Sequence, residues 1–162
     1  PDGHALMLKT RPMTADDMPA CMEIVNFTIA QGGTTAYEEP FTEQSFTEEF
    51  IDGPAISTVV ETSDRIVGFQ NVFDIGDGLY SIGSFTDRRA PVKGAGRALF
   101  NATLAACRAR GGVAILARIT SDNASGLGYY GHMGFADDYV IPGDVTRKDG
   151  SVVDRIVKRY PL

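Results

Sequence analysis

The sequence predicts an α/β fold in which a mixed, mainly antiparallel sheet is flanked by helices. Three observations support this prediction. Stretches rich in Val, Ile and Phe alternate with stretches whose apolar residues recur every three or four positions. Three of the strand-like stretches follow one another with short turns between them, which is typical of antiparallel pairing. The third of these, Leu79–Thr86, leads through a glycine-containing loop into a long helix with an apolar face.

Length and composition are those of an ordinary globular protein. The chain has 162 residues, of which 43% are hydrophobic and 22% are charged, so one domain over residues 1–162 is expected. Residues 1–7 are expected to be a disordered leader or one added for expression. The formal net charge of −6 disfavours a nucleic-acid or anionic-membrane partner, because both attract basic surfaces, and mildly favours a cationic substrate.

Residue usage also narrows the compartment and the cofactors. No apolar run approaches the ~20 residues that cross a bilayer, and no signal peptide is recognisable, so a cytoplasmic location is predicted. Cys21 and Cys107 each fall on an apolar helical position and are expected to be buried free thiols. His4 and His132 are the only histidines, and no cluster has zinc spacing, so no metal site is predicted.

The chain begins with a predicted strand at residues 8–12 and a helix. Thr14 is expected to cap this helix, whose apolar residues lie on one face, and the glycines of 31–33 end it. A loop that starts at Thr34 carries several glutamates and leads into a second helix, which begins near Thr42.

Three strands then form a predicted meander. Residues 56–61 and 65–73 flank the polar turn 62–64, which is typical of a β-hairpin. Residues 74–78 are expected to form the next turn, and the third strand is Leu79–Thr86.

Helices and strands alternate in the second half of the chain. The strand around residue 116 is continuously apolar except for Arg118, which predicts burial on both faces. The predicted elements are a helix from 94 to about 110, a strand at 113–119, a helix at 123–133, a strand from 135 and, after a turn at 148–150, a strand at 152–160.

The loop before the long helix is the clearest candidate for a binding site. Gly94 and Gly96 let the backbone turn tightly and approach a ligand without a Cβ in the way. The helix offers unpaired N–H groups and the positive end of its dipole, which suit a phosphate or pyrophosphate, and Lys93 and Arg97 add charge. A glycine turn that binds nothing is the alternative, because short Gly-x-Gly matches are common.

Three segments, in this order, resemble the Gcn5-related N-acetyltransferase (GNAT) superfamily. Lys93-Gly94-Ala95-Gly96-Arg97-Ala98-Leu99 is similar to its acetyl-CoA pyrophosphate loop and helix. Asn123 follows the next strand, and Tyr130-Gly131-His132-Met133-Gly134-Phe135 is similar to the ending that typically comes after it. Residues 34–42 and the segment 149–159 resemble the phosphinothricin and methionine-sulfoximine acetyltransferase subgroup.

The resemblance implies an acetyl-CoA-dependent N-acetyltransferase. The implied acceptor is the amine of a small molecule, such as an amino acid or an analogue, which attacks directly in a ternary complex. Tyr130 is implied as the general acid, its ordinary pKa near 10 leaving it protonated at pH 7. The subgroup also implies a homodimer. The implied cofactor-binding residues are Ser84, Phe85, Thr86, Val92, Lys93, Gly94, Ala95, Gly96, Arg97, Asn123 and Tyr130.

Other interpretations stay open. Asn123 could act only as a helix cap, and Ser84–Thr86 would contact the cofactor by main chain alone. Tyr129 projects about 100° away from Tyr130 and is interpreted as packing, and His132 as exposed surface. The acceptor could instead be a polyamine or a peptide N-terminus, or the chain could be a non-catalytic acyl-CoA-binding or sensing module.

One departure from the superfamily pattern concerns the pyrophosphate loop. Pro91 stands where an Arg or Gln commonly makes a pyrophosphate contact, and proline has neither an N–H nor a positive charge. Lys93, Arg88 and Arg89 are the candidates to supply that contact.

The second departure concerns the general base. Ser81 stands where subgroup members usually carry a glutamate, and the strand around it contains no carboxylate. Glu38 and Glu39 are the first candidates for the base, Asp74 and Asp77 the second, and water leading through Ser81 is a further alternative.

Overall fold

The computed structural model describes residues 7–162 and contains a seven-stranded sheet. Its strands are β1 (Lys9–Pro12), β2 (Ile56–Glu61), β3 (Ile66–Gly76), β4 (Leu79–Thr86), β5 (Ala114–Thr120), β6 (Ala136–Thr146) and β7 (Val152–Pro161). Its helices are α1 (Met18–Gln31), α2 (Glu43–Phe46), α3 (Ala95–Ala109) and α4 (Ala124–Met133). A 3₁₀ turn, Ala15–Asp17, leads into α1, and a π-helical segment, Thr47–Asp52, continues α2.

The predicted α/β class and the order of elements are confirmed. The leader expected over residues 1–7 lies outside the described residues except for Met7. The turn predicted at 74–78 is wrong in extent, because β3 continues to Gly76 through a bulge between Asp74 and Gly76. Asp77 and Gly78, both with positive φ, make a tight turn to β4. The residues before them, which were predicted to belong to the turn, are instead the end of β3 and its bulge.

The strand order, β1-β2-β3-β4-β5-β7-β6, sets the position of the candidate site. All neighbours are antiparallel except β4 and β5, which are parallel because α3 crosses over between them. Their pairing covers only Leu79–Ser81 against Ala114–Leu116. Beyond Ser81 the two strands separate, and a gap opens in the middle of the sheet.

Helices cover both faces of the sheet. Val59 packs in a cluster with Phe46, Phe50 and residues of α1, whereas the next residue, Val60, packs against Leu99 of α3. Successive side chains of a strand point to opposite faces, so α1 and α2 lie on one face and α3 on the other.

Several local predictions are confirmed by this packing. Cys21 and Cys107 are buried free thiols, and β5 is buried on both faces except at Arg118. Within residues 7–162 every helix is too short or too polar to cross a bilayer.

Candidate active site

A cavity of about 470 Å³ lies where β4 and β5 separate. Its walls are formed by β4 from Ser81 to Thr86, by the end of β5, by the N-terminal turns of α3 and α4, and by residues 34–37. The cavity therefore reaches from the glycine loop to the loop that follows α1.

The structure explains why both Gly94 and Gly96 must be glycine. Gly94 has a φ of +89°, a left-handed conformation that residues with a Cβ rarely adopt. At Gly96 a Cβ would lie 2.7 Å from Cε1 of Tyr129, closer than such atoms approach. The second glycine is thus required by an aromatic ring of α4, a contact that the sequence did not predict.

The first turn of α3 can accept an anion. Ala95 and Ala98 donate to Val92 and Gly94, but in the described chain the N–H groups of Gly96 and Arg97 have no protein acceptor. Free N–H groups and the positive end of a helix dipole are suited to a diphosphate.

The residues around this turn divide into two groups. Val92, Gly96 and Pro91 line the cavity, whereas Lys93 and Arg97 are exposed beside it.

The two arginines predicted to supply the pyrophosphate contact that Pro91 cannot make have different surroundings. Arg88 lines the cavity and donates to Ser125 Oγ at 3.2 Å. Arg89 is bound to the carboxylates of Asp87 and Glu23. Arg88 is therefore the better placed of the two.

Tyr130 is buried, and its hydroxyl lies 2.8 Å from Ser84 Oγ on the cavity wall. Burial raises the pKa of Tyr130, so the phenol is protonated at neutral pH. Gln70 Nε2 donates to Ser84 Oγ at 2.8 Å, and Thr103 Oγ1 donates to Gln70 Oε1. A buried chain of hydrogen bonds thus orients the Tyr130 hydroxyl, and it does so through a Ser84 side chain to which the sequence assigned no role.

Tyr129 is more than a packing residue, contrary to the prediction. Its hydroxyl donates to the Gly96 carbonyl at 2.7 Å and accepts from Gln70 Nε2 at 3.1 Å. Burial raises the pKa of Tyr129 to about 12. The two neighbouring tyrosines therefore have different roles: Tyr129 supports the glycine loop, and Tyr130 contacts Ser84.

Asn123 caps α4 as predicted, because its Oδ1 accepts from the Gly126 N–H at 2.9 Å. It also lines the cavity, so the structure is compatible with both roles that the sequence left open. His132 is exposed, as predicted.

The structure does not bring the predicted carboxylates to the cavity. Glu38 accepts from the Lys148 N–H at 2.8 Å and lies 3.4 Å from Arg147 Nη1, on the wall of a neighbouring hollow. Glu39 pairs with Lys148 at the surface. The loop is held in this orientation because Arg147 Nη1 also donates to the Thr35 carbonyl at 2.6 Å.

The second pair of candidate bases is also remote. Asp74 is exposed and accepts from the N–H of Gly76 in the β-bulge, and Asp77 forms the adjacent turn. Ser81, by contrast, lines the cavity. Among the predicted candidates for the general base, Ser81 is therefore the one that lines this cavity in the described chain.

The charged residues on the cavity wall are Arg88, Arg118 and Arg155. In the described residues no Asp or Glu lines the cavity. Arg155 pairs with Asp144 at 3.1 Å, whereas Arg118 is exposed and has no salt-bridge partner in residues 7–162. The mild preference for a cationic substrate, drawn from the net charge, is therefore not supported, because net charge does not give the local sign.

A protein-family model matches the sequence of the chain, and solved structures match its fold. The model of the acetyltransferase (GNAT) family matches residues 22–135. A candidate phosphinothricin N-acetyltransferase has a TM-score of 0.84 at 23% identity, over 96% of this chain and 99% of its own. No curated protein sequence matches significantly.

Two further solved structures are similar. A GNAT superfamily phosphinothricin acetyltransferase from Sinorhizobium meliloti, in complex with acetyl-CoA, has a TM-score of 0.81 at 20% identity, over 96% of this chain and 88% of its own. A ribosomal-protein-alanine N-acetyltransferase from Brucella melitensis has a TM-score of 0.82 at 20% identity, over 95% of this chain and 99% of its own. At such identities these likenesses show the fold.

Proposed function

The chain belongs to the GNAT acetyltransferase family, and on that premise we propose that it acetylates the amine of a small molecule, an amino acid or an analogue. The family is one of acetyl-CoA-dependent acetyltransferases; the acceptor and the residue roles are what is proposed for this chain. The observation that carries the proposal is the Tyr130 hydroxyl, oriented by Ser84 in a cavity that extends from the α3 N-terminus to Arg118.

The residues present fit acetyl-CoA, which supplies an activated acetyl thioester when bound. The free N–H groups of Gly96 and Arg97, with Arg88 on the same wall, suit its diphosphate. Beyond Ser81, no strand of residues 7–162 pairs with β4 on the β5 side, so the backbone of Ser84–Thr86 is free to pair with an amide-containing arm.

Transfer needs a neutral amine, a polarised carbonyl and a proton for the departing sulfur. The amine nitrogen forms the new C–N bond as the C–S bond breaks, and the thiolate takes its proton from Tyr130. The proton that the nitrogen loses as the amide forms returns to the Tyr130 oxygen. Because burial raises the pKa of Tyr130, the phenol carries that proton before the reaction and readily recovers it afterwards. Holding both substrates in one cavity supplies much of the rate without a covalent enzyme intermediate.

The arginines on the cavity wall support an acceptor with an anionic group. Arg118 is exposed in the cavity and unpaired in residues 7–162, and a guanidinium binds a carboxylate or phosphinate by paired hydrogen bonds. A polyamine would find three positive side chains and no carboxylate in the described part of this wall, which opposes its binding.

A non-catalytic acyl-CoA-binding module is the second candidate. Ser81 at the usual glutamate position, together with the lack of a carboxylate on the described cavity wall, favours it. Such a module would bind acetyl-CoA but would release no thiol with any amine.

Two measurements test the proposal. Acetyl-CoA at ~100 times its dissociation constant should stabilise the protein by about 2.7 kcal/mol, and the absence of a thermal shift would contradict both candidates. Thiol release is then followed with phosphinothricin, methionine sulfone, an alanine-ended peptide, a polyamine and a simple alkylamine. Turnover of the anionic amines alone supports the proposal; turnover of the polyamine would contradict it, and no turnover would favour the non-catalytic module.

We also propose that the protein is a cytoplasmic homodimer. Tyr139, Val140 and Val152 are large apolar residues about half exposed or more, and all three lie on the outermost strand pair, β6 and β7. Such side chains support a protein–protein contact at this edge. Light scattering after gel filtration tests the assembly, and a monomer at micromolar concentration would contradict it.

A further inference from the structure

We propose that Tyr37 and Glu49 together take the proton of the acceptor amine, with the Tyr37 hydroxyl passing it to the Glu49 carboxylate. This inference rests on the proposed function. An amine of ordinary basicity enters the site protonated and must lose a proton before it can attack a thioester. In residues 7–162 no Asp, Glu or His lines the cavity, so a protein base can be reached only through an intervening group.

The cavity wall offers several hydroxyl groups, and their partners distinguish them. Ser84 is bonded to Gln70 and Tyr130, and Thr28 donates to a main-chain carbonyl. Thr120 likewise donates to the Thr34 carbonyl. The Tyr37 hydroxyl differs, because it donates to Glu49 Oε1 at 2.7 Å. Thr120 also lies beside a carboxylate, that of Asp122, but Arg147 holds that carboxylate.

The Glu49 carboxylate accepts from Tyr37 and is paired with no cation of the described chain. No Lys or Arg nitrogen lies within salt-bridge distance of its carboxylate in the described chain. Asp122, which lies near the same loop, is instead held by two nitrogens of Arg147 at 2.7 and 3.1 Å, and this lowers the pKa of Asp122. Glu49 is also partly exposed, so a proton taken from the substrate can leave to solvent.

The backbone of the turn that carries Glu49 packs near the strand pair that carries Ser81. A Cβ at Gly53 would lie 2.9 Å from the Glu49 carbonyl oxygen and 3.5 Å from Cε1 of Phe73. Phe73 is the β3 residue directly opposite Ser81, and both of them line the cavity. The helical turn that carries Glu49 is therefore next to the strand pair that carries Ser81.

Tyr37 is held firmly between this turn and the cavity. Its ring packs edge-on against Phe50, with the centroids 5.7 Å apart, and lies near Phe85. Its N–H donates to Thr35 Oγ1, and the Thr35 carbonyl is bound by Arg147. Burial raises the pKa of Tyr37, so the phenol stays neutral and acts as a relay.

The proton count balances in the proposed step. The ammonium N–H proton moves to Tyr37 Oη as the Tyr37 proton moves to Glu49 Oε1. The products are a neutral amine, an unchanged phenol and a protonated Glu49. The amine then attacks the thioester, while Tyr130 separately protonates the sulfur.

Three variants test the relay. Glu49→Gln keeps an oxygen to accept from Tyr37 but cannot take a proton, and Tyr37→Phe removes the hydroxyl. Glu48→Gln is the matched control, because Glu48 is an exposed neighbour whose carboxylate accepts from Gln44. We expect Glu49→Gln and Tyr37→Phe to lower kcat for a protonated amine about 10²- to 10⁴-fold, with the affinity for acetyl-CoA unchanged and Glu48→Gln active.

A second acceptor separates proton removal from a structural effect. The carboxamide of phosphinothricin keeps the anionic phosphinate and has a less basic amine, about half of which is neutral near pH 8. The Glu49→Gln defect should shrink at least tenfold with this acceptor, and a structural role would leave the defect equal for both. Wild-type rates in Glu49→Gln would overturn the relay alone, whereas an inactive wild type across the whole amine panel would overturn the proposed function as well.

Discussion

Tyr130 and Ser84 illustrate how residues acquire a chemical role from their surroundings. A phenol keeps its proton where burial disfavours the charged phenolate, and a serine that already accepts from Gln70 can share its remaining hydrogen-bonding capacity with that phenol. The pair therefore presents a neutral O–H to the cavity, as an acid catalyst requires.

Replacing Tyr130 by Phe removes the hydroxyl and keeps the ring that packs on Phe135. We expect kcat to fall about 10²- to 10⁴-fold, as for loss of a general acid, while the dissociation constant of acetyl-CoA changes less than threefold. Turnover kinetics and calorimetric titration measure the two effects. Equal losses of turnover and binding in Tyr130→Phe would make the residue structural.

The glycines provide a second test at the scale of single residues. In Gly96→Ala the new Cβ would overlap the Tyr129 ring, so the first turn of α3 or the ring must move. We expect a loss of about 1–3 kcal/mol in stability and at least tenfold weaker binding of acetyl-CoA, measured by urea unfolding and by titration.

Gly128→Ala is the matched control for that substitution. Gly128 lies in α4 with open space where its Cβ would be, so alanine should stabilise the protein by about 0.5–1 kcal/mol. A Gly96→Ala variant that binds acetyl-CoA as tightly as the wild type would contradict the proposed role of the α3 turn.

At the scale of elements, Arg147 connects three segments that are distant in sequence. It follows β6, and it binds the Thr35 carbonyl after α1, Thr120 Oγ1 at the end of β5, and both oxygens of Asp122. A guanidinium has five N–H donors in a fixed plane, and here they hold loops on either side of the cavity together. Lysine cannot replace this geometry.

Arg147→Met should therefore leave Asp122 without its partner and loosen the loop that carries Tyr37. We expect a loss near the lower end of ~3–5 kcal/mol, because the Asp122 side chain is one-third exposed and water partly compensates. Urea unfolding measures the loss, and the KM of the acceptor should rise as well. Arg108→Met, on the exposed face of α3, should change stability by no more than ~0.5 kcal/mol; a similar value for Arg147→Met would show that the cluster does not hold the loops.

At the scale of the whole molecule, an acidic protein with a net charge of −6 carries an arginine-lined cavity. Of the carboxylates that arginines bind elsewhere in the described chain, three have a lowered pKa. Hydrogen bonds from Arg11 lower the pKa of Asp17, and hydrogen bonds from Arg147 lower that of Asp122. Burial alone would raise the pKa of Asp87, but its hydrogen bonds with Arg89 outweigh burial and lower it.

These shifts predict how stability depends on pH. A carboxyl whose folded pKa lies below its ordinary value of 3.8 stabilises the fold above that value, and the stabilisation is lost as pH falls through the folded pKa. Urea unfolding should therefore show a nearly constant free energy from pH 7 to about 5 and a steep decline below about 4. Asp17→Asn should flatten the decline, and an unchanged acid limb in that variant would contradict the assignment.

The sequence alone determined the element types, their order and the positions of the glycine loop, Asn123 and Tyr130. Those features depend on local physics, since hydrophobic periodicity, helix capping and glycine turns act within a few residues of one another. Only the tertiary structure decided which side chains meet: Ser84 with Tyr130, Gly96 with Tyr129, and Glu38 with Arg147 rather than with the cavity. Such contacts join residues 33 to 109 positions apart, and they follow from strand register and loop packing, which no local pattern records.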